Sequence, residues 1–135
     1  MSLEDLRVYN KAMEIGERVW LDVAAWNYLE KDTIGKQLIR AVDSIAANLS
    51  EGYGRYHFKE EKNFAYYSRG SLYETKTWLT KAKNRHLISE QRFSEYSDSL
   101  TILVKMLNNY IKTIGSKPNS NEVNEPFEPY GLNDI

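Results

Sequence analysis

Apolar side chains recur every three or four residues through most of the chain, which is the spacing of one face of an α-helix. The first run predicts a helix of about seven turns, with Ser2 as its N-cap and Asn27 at its end. Its predicted inward-facing residues are Leu6, Tyr9, Met13, Gly16, Trp20 and Val23. A second run follows the N-cap candidate Asp32 and stops at Gly52-Tyr53-Gly54. Its predicted inward-facing residues are Ile34, Leu38, Ala41, Ile45, Asn48 and Gly52.

Two further runs complete the pattern. A third helix is predicted from about Phe58 to Arg85, with a thin apolar face made of Phe64, Ser68, Ser71, Thr75, Trp78, Leu79 and Ala82. A fourth helix is predicted between Ser89, its N-cap, and Gly115. Its inward positions alternate strictly by three and four through Phe93, Tyr96, Leu100, Leu103, Leu107, Tyr110 and Ile114. Four such helices with short loops predict an all-α, up-down-up-down antiparallel four-helix bundle.

The composition changes after the fourth helix. All three prolines lie beyond residue 115, in a segment rich in Gly, Ser and Asn. Its charged residues give a net charge of −3; they are Lys117, Glu122, Glu125, Glu128 and Asp134. We therefore predict a bundle over residues 1–114 and a flexible acidic tail over residues 115–135.

Composition narrows the chemistry. The 135 residues contain no cysteine, which excludes thiol catalysis and a disulfide scaffold and favours a reducing, cytoplasmic setting. Charged residues interrupt the first thirty positions, so neither a signal peptide nor a membrane span is expected. His57 and His86 lack a carboxylate three residues earlier, and the glycines form no phosphate-binding loop. We expect no metal, cofactor, small-molecule substrate or catalytic residue, and hence no enzyme.

One stretch of the second helix is specific enough to carry a resemblance. Residues 37–55 read QLIRAVDSIAANLSEGYGR, and the next helix adds Phe64, Arg69-Gly70-Ser71-Leu72 and Glu74. Together with Leu6-Arg7-Val8-Tyr9 and Lys11-Ala12, these motifs cover most of residues 5 to 82. They resemble the bacterial four-helix bundle proteins encoded in intervening sequences of 23S rRNA genes. The sequence departs from the family at the predicted first loop, residues 27–31, which lacks Phe-Pro, and at Tyr66 and Tyr67.

The resemblance implies how the chain assembles. Proteins of this family form a closed ring, a pentamer, without known catalysis. Related accessory proteins of diversity-generating retroelements share that assembly and bind nucleic acid and a reverse transcriptase. The resemblance therefore implies a homo-oligomer whose partner is RNA or a protein that processes nucleic acid.

A polar line crosses the two central helices. Its members are Arg40, Ser44, Asn48 and Glu51 on the second helix and Ser71 and Glu74 on the third. If these helices form a hairpin that turns near Tyr56 and His57, facing residue numbers add to about 114, so Arg40 lies opposite Glu74. Arginine and glutamate without a nucleophile define no reaction, so we interpret the line as a structural or assembly network.

Basic and aromatic residues alternate along another face of the third helix, which we call the basic stripe. Its members are Lys62, Tyr66, Arg69, Tyr73, Lys76 and Lys83, extended around the hairpin by Tyr53, Arg55, Tyr56 and Lys59. Residues 59–86 carry a net charge of +4. Phosphate-pairing cations beside stacking aromatics predict a single-stranded nucleic-acid platform, and RNA is the expected ligand. The same composition fits a subunit interface, so a purely structural assembly remains an alternative, and a small RNA-acting enzyme is a weaker one.

Overall fold

The computed structural model describes residues 1–115, and the predicted acidic tail falls outside them apart from its first residue. After a short 3-10 turn at Leu3–Asp5, α1 spans Arg7–Ala24. Helix α2 begins as Tyr28–Glu30, passes through a π-helical turn at Lys31–Gly35 and continues as Lys36–Tyr53. Helix α3 spans Phe58–Asn84, and α4 spans Glu90–Thr113. Residues 1–115 contain no β-strand.

The four helices pack in chain order around a square. Helices α2 and α3 share the most extensive contact, α1 packs on α2, α3 packs on α4, and α4 closes the square against α1. Short loops join consecutive helices, so neighbouring helices run antiparallel. This arrangement is the predicted up-down-up-down four-helix bundle.

The core lies between the inward faces of all four helices. Its largest fully buried side chains include Ile15, Ile45, Leu79, Leu103 and Tyr96. The predicted spacing of α4 holds at the buried residues Tyr96, Leu100, Leu103, Leu107 and Ile114. Phe93 and Tyr110, also predicted inside, are only partly buried, and Ile111 is buried without having been predicted. Burial of such aliphatic and aromatic side chains is the main favourable contribution to folding.

Helix α1 differs from its prediction in length and in face. Ser2 caps the 3-10 turn through Asp5, and the extended backbone at Leu6 delays the helix to Arg7. Within α1, Met13 and Trp20 were predicted inside but are 42% and 55% exposed. The buried residues of α1 are Val8, Ala12, Ile15, Gly16, Val19 and Val23. These small and β-branched side chains fit the narrow space between α1 and its neighbours, so the larger side chains of Met13 and Trp20 lie at the edge of that space.

The start of α2 also differs. Residues 27–31, predicted as a loop, are largely helical, and the N-cap is Asn27 instead of Asp32. The Asn27 side chain accepts a hydrogen bond from the Glu30 amide at 2.9 Å, and Glu30 accepts one from the Asn27 amide at 3.0 Å. Gly35 sits so close to α1 that a Cβ there would lie 2.8 Å from Val23 Cγ1.

The bounds of α3 and the caps of α4 follow the predictions more closely. Ser89 caps α4 by accepting a hydrogen bond from the Arg92 amide at 3.0 Å, and Gly115 follows α4 with a φ of 71°. His86 adopts a φ of 64°, while the Leu87 amide donates to the Ala82 carbonyl at 2.8 Å. That bond closes α3 in a Schellman motif with histidine at the position that favours glycine.

The inward face of α3 is only partly as predicted. Its buried residues are Lys62, Ala65, Ser68, Leu72, Thr75, Leu79 and Ala82. Phe64, Ser71 and Trp78 were predicted inside but are half-buried. The seam that α3 shares with α2 and α4 therefore passes through Ala65 and Leu72, beside the predicted positions.

Candidate assembly and nucleic-acid interface

The α2–α3 hairpin has the register that the sequence predicts. The buried Ser68 hydroxyl on α3 donates to the Ile45 carbonyl on α2 at 2.7 Å, within one residue of that register. Near the turn, a Cβ on Gly52 would lie 2.7 Å from Phe64 Cβ and 3.1 Å from the Glu61 carbonyl oxygen. Glycine at position 52 therefore allows the two helices to approach closely there.

The polar line does not form a cross-helix network within the chain. Ser44 donates to the Arg40 carbonyl at 2.7 Å, and the Asn48 amide donates to the Ser44 carbonyl at 2.9 Å, so these side chains bond to their own helix. Glu51 pairs with Arg55 at 2.7 Å.

On α3, the Glu74 side chain and the Ser71 carbonyl also bond within their own helix. Glu74 accepts a hydrogen bond from the Trp78 indole at 3.1 Å, and the Ser71 carbonyl accepts one from the Thr75 hydroxyl at 2.8 Å. Among residues 1–115 no ion pair joins Arg40 to Glu74, so the intrachain form of that prediction is wrong. Both side chains are exposed, and a pair across a subunit boundary stays a prediction.

Several residues of the basic stripe are buried or contact α4, where a free outer face was predicted. Lys62 is only 5% exposed, and Tyr66 packs against the core. The Arg69 guanidinium donates to Asn108 Oδ1 of α4 at 2.8 Å and stacks 4.8 Å from the Tyr66 ring centroid. Lys83 Nζ lies 4.5 Å from the centroid of Phe93. Residues at helical spacing form one face, and such a face can contact another helix or bind a ligand. The spacing along α3 therefore does not predict which side of α3 packs against α4.

The rest of the stripe is exposed or held locally. Tyr73 is 56% exposed, and Lys76 lies one turn further along α3, also exposed. Lys59 is exposed near the hairpin turn. Arg55 pairs with Glu51 and Glu60 and stacks 4.9 Å from the Phe64 ring centroid. Tyr73 and Lys76 therefore form the part of the stripe that is most open to a ligand.

A network at one end of the bundle was not predicted. The Tyr96 hydroxyl donates to Asp22 Oδ2 at 2.5 Å, and Arg92 Nε lies 3.1 Å from the same oxygen. Arg92 and Arg18 both donate to Glu95. Burial, reinforced by the Asp22 carboxylate, raises the pKa of Tyr96 well above its ordinary value. Periodicity placed Tyr96 in the core, but no local signal linked it to Asp22, which lies 74 residues earlier.

A second unpredicted contact closes the opposite end. The Tyr110 hydroxyl of α4 donates to Glu61 Oε2 of α3 at 2.5 Å. Burial raises the pKa of the Glu61 carboxyl, and burial together with Glu61 raises that of Tyr110. Like the network around Tyr96, this contact joins two helices.

The α1–α2 side of the bundle carries two grooves. Asp43 and Glu17 line the first, where Gly16 allows Asp43 to lie over α1, since a Cβ on Gly16 would be 3.0 Å from Asp43 Oδ1. Burial and the nearby Glu17 carboxylate raise the pKa of Asp43. Further along, Trp20 and Ile39 line a mostly apolar groove of about 190 Å³. This groove was missed because Trp20 was assigned to the core.

Residues 1–115 contain no group of three or more His, Asp or Glu side chains arranged to hold a metal ion. None of their helices combines the length and the apolar character that a membrane span requires.

Comparison with known proteins adds a family and a fold. Residues 4–109 match the family described as 23S rRNA-intervening sequence protein. The structure also resembles a crystal structure from Bacteroides thetaiotaomicron, a protein of unknown function from the S23 ribosomal protein family. The two chains are 24% identical with a TM-score of 0.71, over 78% of this chain and 99% of the other, so this likeness concerns the fold alone. No curated protein matches the chain significantly.

Proposed function

Because the chain belongs to the 23S rRNA-intervening sequence protein family, we propose that it is a non-enzymatic, homo-oligomeric scaffold that binds RNA. The observation that carries the proposal is the number of large apolar side chains left uncovered on the described bundle. They include Met13, Trp20, Leu21, Tyr28, Leu29, Tyr73 and Ile102.

These exposed side chains support assembly. Single apolar residues are common on protein surfaces, but a groove lined by Trp20 and Ile39 beside further exposed apolar residues marks an interaction surface. The family resemblance of the sequence motifs implies a ring of five copies, and we adopt that number for the assembly. A cytoplasmic location belongs to the same proposal and agrees with the lack of cysteine.

Helix α3 supports RNA as the partner. Tyr73 offers a ring for a base to stack on, and Lys76 offers a cation one turn away. Lys81 and Arg85 continue the positive charge toward the end of the helix. Assembly would repeat these weak contacts on every copy, so one RNA strand could engage several subunits and bind with avidity.

A scaffold that binds only protein is the second candidate. It is favoured by the internal contacts of Arg69 with Asn108 and of Lys83 with Phe93, which occupy cations that RNA would otherwise use. An RNA-acting enzyme is the weakest alternative, because the polar clusters around Tyr96 and Tyr110 join helices to one another.

The proposal is tested by light scattering and by binding of a fluorescent single-stranded RNA over a salt series. We expect an oligomer that binds RNA with salt-dependent affinity. Lys76→Glu should flatten the salt dependence by roughly one unit of log–log slope, and Tyr73→Ala should weaken binding by about 1 to 3 kcal/mol per stacked base. Arg7→Glu, the same charge change at the start of α1, is the matched control and should have a smaller effect. An oligomer without salt-dependent RNA binding would leave the protein-only scaffold.

A further inference from the structure

We propose that neighbouring copies join by packing α4 of one copy in parallel against α2 of the next, beside Trp20 of α1. The inference rests on the homo-oligomer proposed above and names its interface. Its residues are Asp98, Ile102 and Lys105 on α4 and Lys36, Ile39 and Asp43 on α2.

The α2 half of the contact is a groove between two charges. The groove beside Trp20 and Ile39 has Val23 and Ala24 in its walls, so it can receive an aliphatic side chain. Lys36 lies about one turn before Ile39, and Asp43 lies about one turn after it. All three therefore lie along one side of α2.

The α4 half has the same layout with its charges reversed. Ile102 is 50% exposed, unlike the buried leucines on the other side of the helix. Asp98 precedes it by four residues, Lys105 follows it by three, and both are exposed. Neither charge has an ion-pair partner among the described residues 1–115.

The two halves fit in one orientation only. In each helix the charged residues are seven positions apart with an isoleucine between them. A parallel pairing sets Asp98 against Lys36 and Lys105 against Asp43. An antiparallel pairing would set like charges against each other at both ends, and such juxtapositions are costly.

A parallel contact between two different faces is heterologous, so it continues from copy to copy. Such contacts form a ring when the rotation between neighbours closes. Within each bundle α2 and α4 run in the same direction, since one helix separates them in the antiparallel order. Parallel α2–α4 pairing therefore keeps successive bundles pointing the same way, as a ring requires.

The surroundings of Asp43 favour an incoming cation. Gly16 holds Asp43 close to α1, beside Glu17, and in the described part of the chain neither carboxylate has a Lys or Arg within ion-pair distance. Burial and the charge of Glu17 raise the pKa of Asp43 in the single chain. Lys105 of a neighbour would offset one of these two negative charges.

Lys36 must exchange its present partner to make the proposed contact. It pairs with Asp32 at 3.5 Å, and both side chains are about half exposed. An exposed pair of this kind contributes little to stability, so Lys36 can turn toward Asp98 of a neighbour at low cost. The contact leaves Tyr73 and Lys76 on α3 uncovered, so assembly and RNA binding use different surfaces.

Cysteine cross-linking tests the contact directly, because the natural chain contains no cysteine. The variant Ile39→Cys with Ile102→Cys should form intermolecular disulfides under mild oxidation, giving a ladder on a non-reducing gel. The top of the ladder counts the copies in the ring. The matched control, Ile39→Cys with Lys112→Cys, places the second cysteine at an exposed position of the same helix ten residues beyond Ile102 and should stay largely monomeric on that gel. An equal ladder from the control, or no ladder from the test variant, would overturn the contact.

Charge exchange provides a second, independent test by light scattering. Lys105→Glu and Asp43→Lys should each raise the dissociation constant of the assembly at least about tenfold, and combining them should recover most of that loss. Lys76→Glu, the same charge change on α3, should leave the assembly intact. Helicity measured by circular dichroism should be unchanged in all four. Dissociation by Lys76→Glu alone, or no recovery in the double variant, contradicts the proposed pairing.

The two levels of proposal fail separately. A wild-type chain that stays monomeric at all concentrations would overturn both the homo-oligomer and this interface. An oligomer that neither cross-links through positions 39 and 102 nor responds to charge exchange would overturn the interface alone.

Discussion

Large side chains differ in exposure between the α1–α2 side of the bundle and the contact between α3 and α4. On the first side, Trp20 and Met13 remain exposed beside an open groove. On the second, Tyr66 packs on the core, and Arg69 is held by Asn108. Tyr66 and Arg69 have satisfied their contacts within the chain, whereas the groove between α1 and α2 retains apolar surface for another molecule, as does the exposed Ile102 on α4. A chain can therefore have a complete core and still be incomplete at its surface.

The comparison is tested most strongly on α1, where a buried and an exposed stripe run side by side. Ile15→Ala should lower the free energy of unfolding by about 2 to 5 kcal/mol, because Ile15 is fully buried. Trp20→Ala should change the stability of the isolated chain far less but should weaken the assembly. Urea unfolding and light scattering at matched concentrations check both effects. If Trp20→Ala lowered the free energy of unfolding as much as Ile15→Ala does, Trp20 would belong to the core and the groove would not be a surface for assembly.

A smaller effect is expected on α3, where two cations of the basic stripe lie in different settings. Arg69→Ala should cost about 1 to 2 kcal/mol of unfolding free energy, because it removes the hydrogen bond to Asn108 and the stacking on Tyr66. Lys76→Ala should change stability by less than about 0.5 kcal/mol, since Lys76 is exposed. Urea melts of both variants provide the comparison. Equal losses would show that the two sites do not differ in packing.

The smallest effect concerns pH at the contact between α3 and α4. The folded-state pKa of Glu61 is raised by burial, so the folded chain binds this proton more tightly than the unfolded chain does. The contribution of Glu61 to stability should therefore fall as pH rises from about its ordinary value of 4.5 through the raised folded value. Glu61→Gln should remove this slope while keeping an acceptor for Tyr110. Glu60→Gln, at an exposed neighbour, should leave the slope in place when unfolding is measured across that pH range.

Local sequence signals predicted where most helices begin and end, but they did not predict which face of each helix is buried. Ser89 and Gly115 delimit α4 as predicted, because a cap or a positive φ depends on nearby backbone groups. At Asn27 the sequence held a capping box with Glu30, but the apolar run beginning at Ile34 drew the predicted helix start to Asp32. For the candidate site, the predicted exposure of Tyr73 and Lys76 agrees with the structure, whereas Lys62 was predicted on the outer face and is buried.

The sequence by itself determined that this chain forms four helices, roughly where each begins and ends, and that α2 and α3 pair in the observed register. These features depend on residues close in the chain or on one hairpin, and periodicity records them directly. Tertiary structure alone decided which of two stripes on α1 is buried, which side of α3 meets α4, and that Tyr96 bonds to Asp22. Each of these depends on where distant helices pack, and a helix with two usable faces does not specify its neighbour in its own spacing.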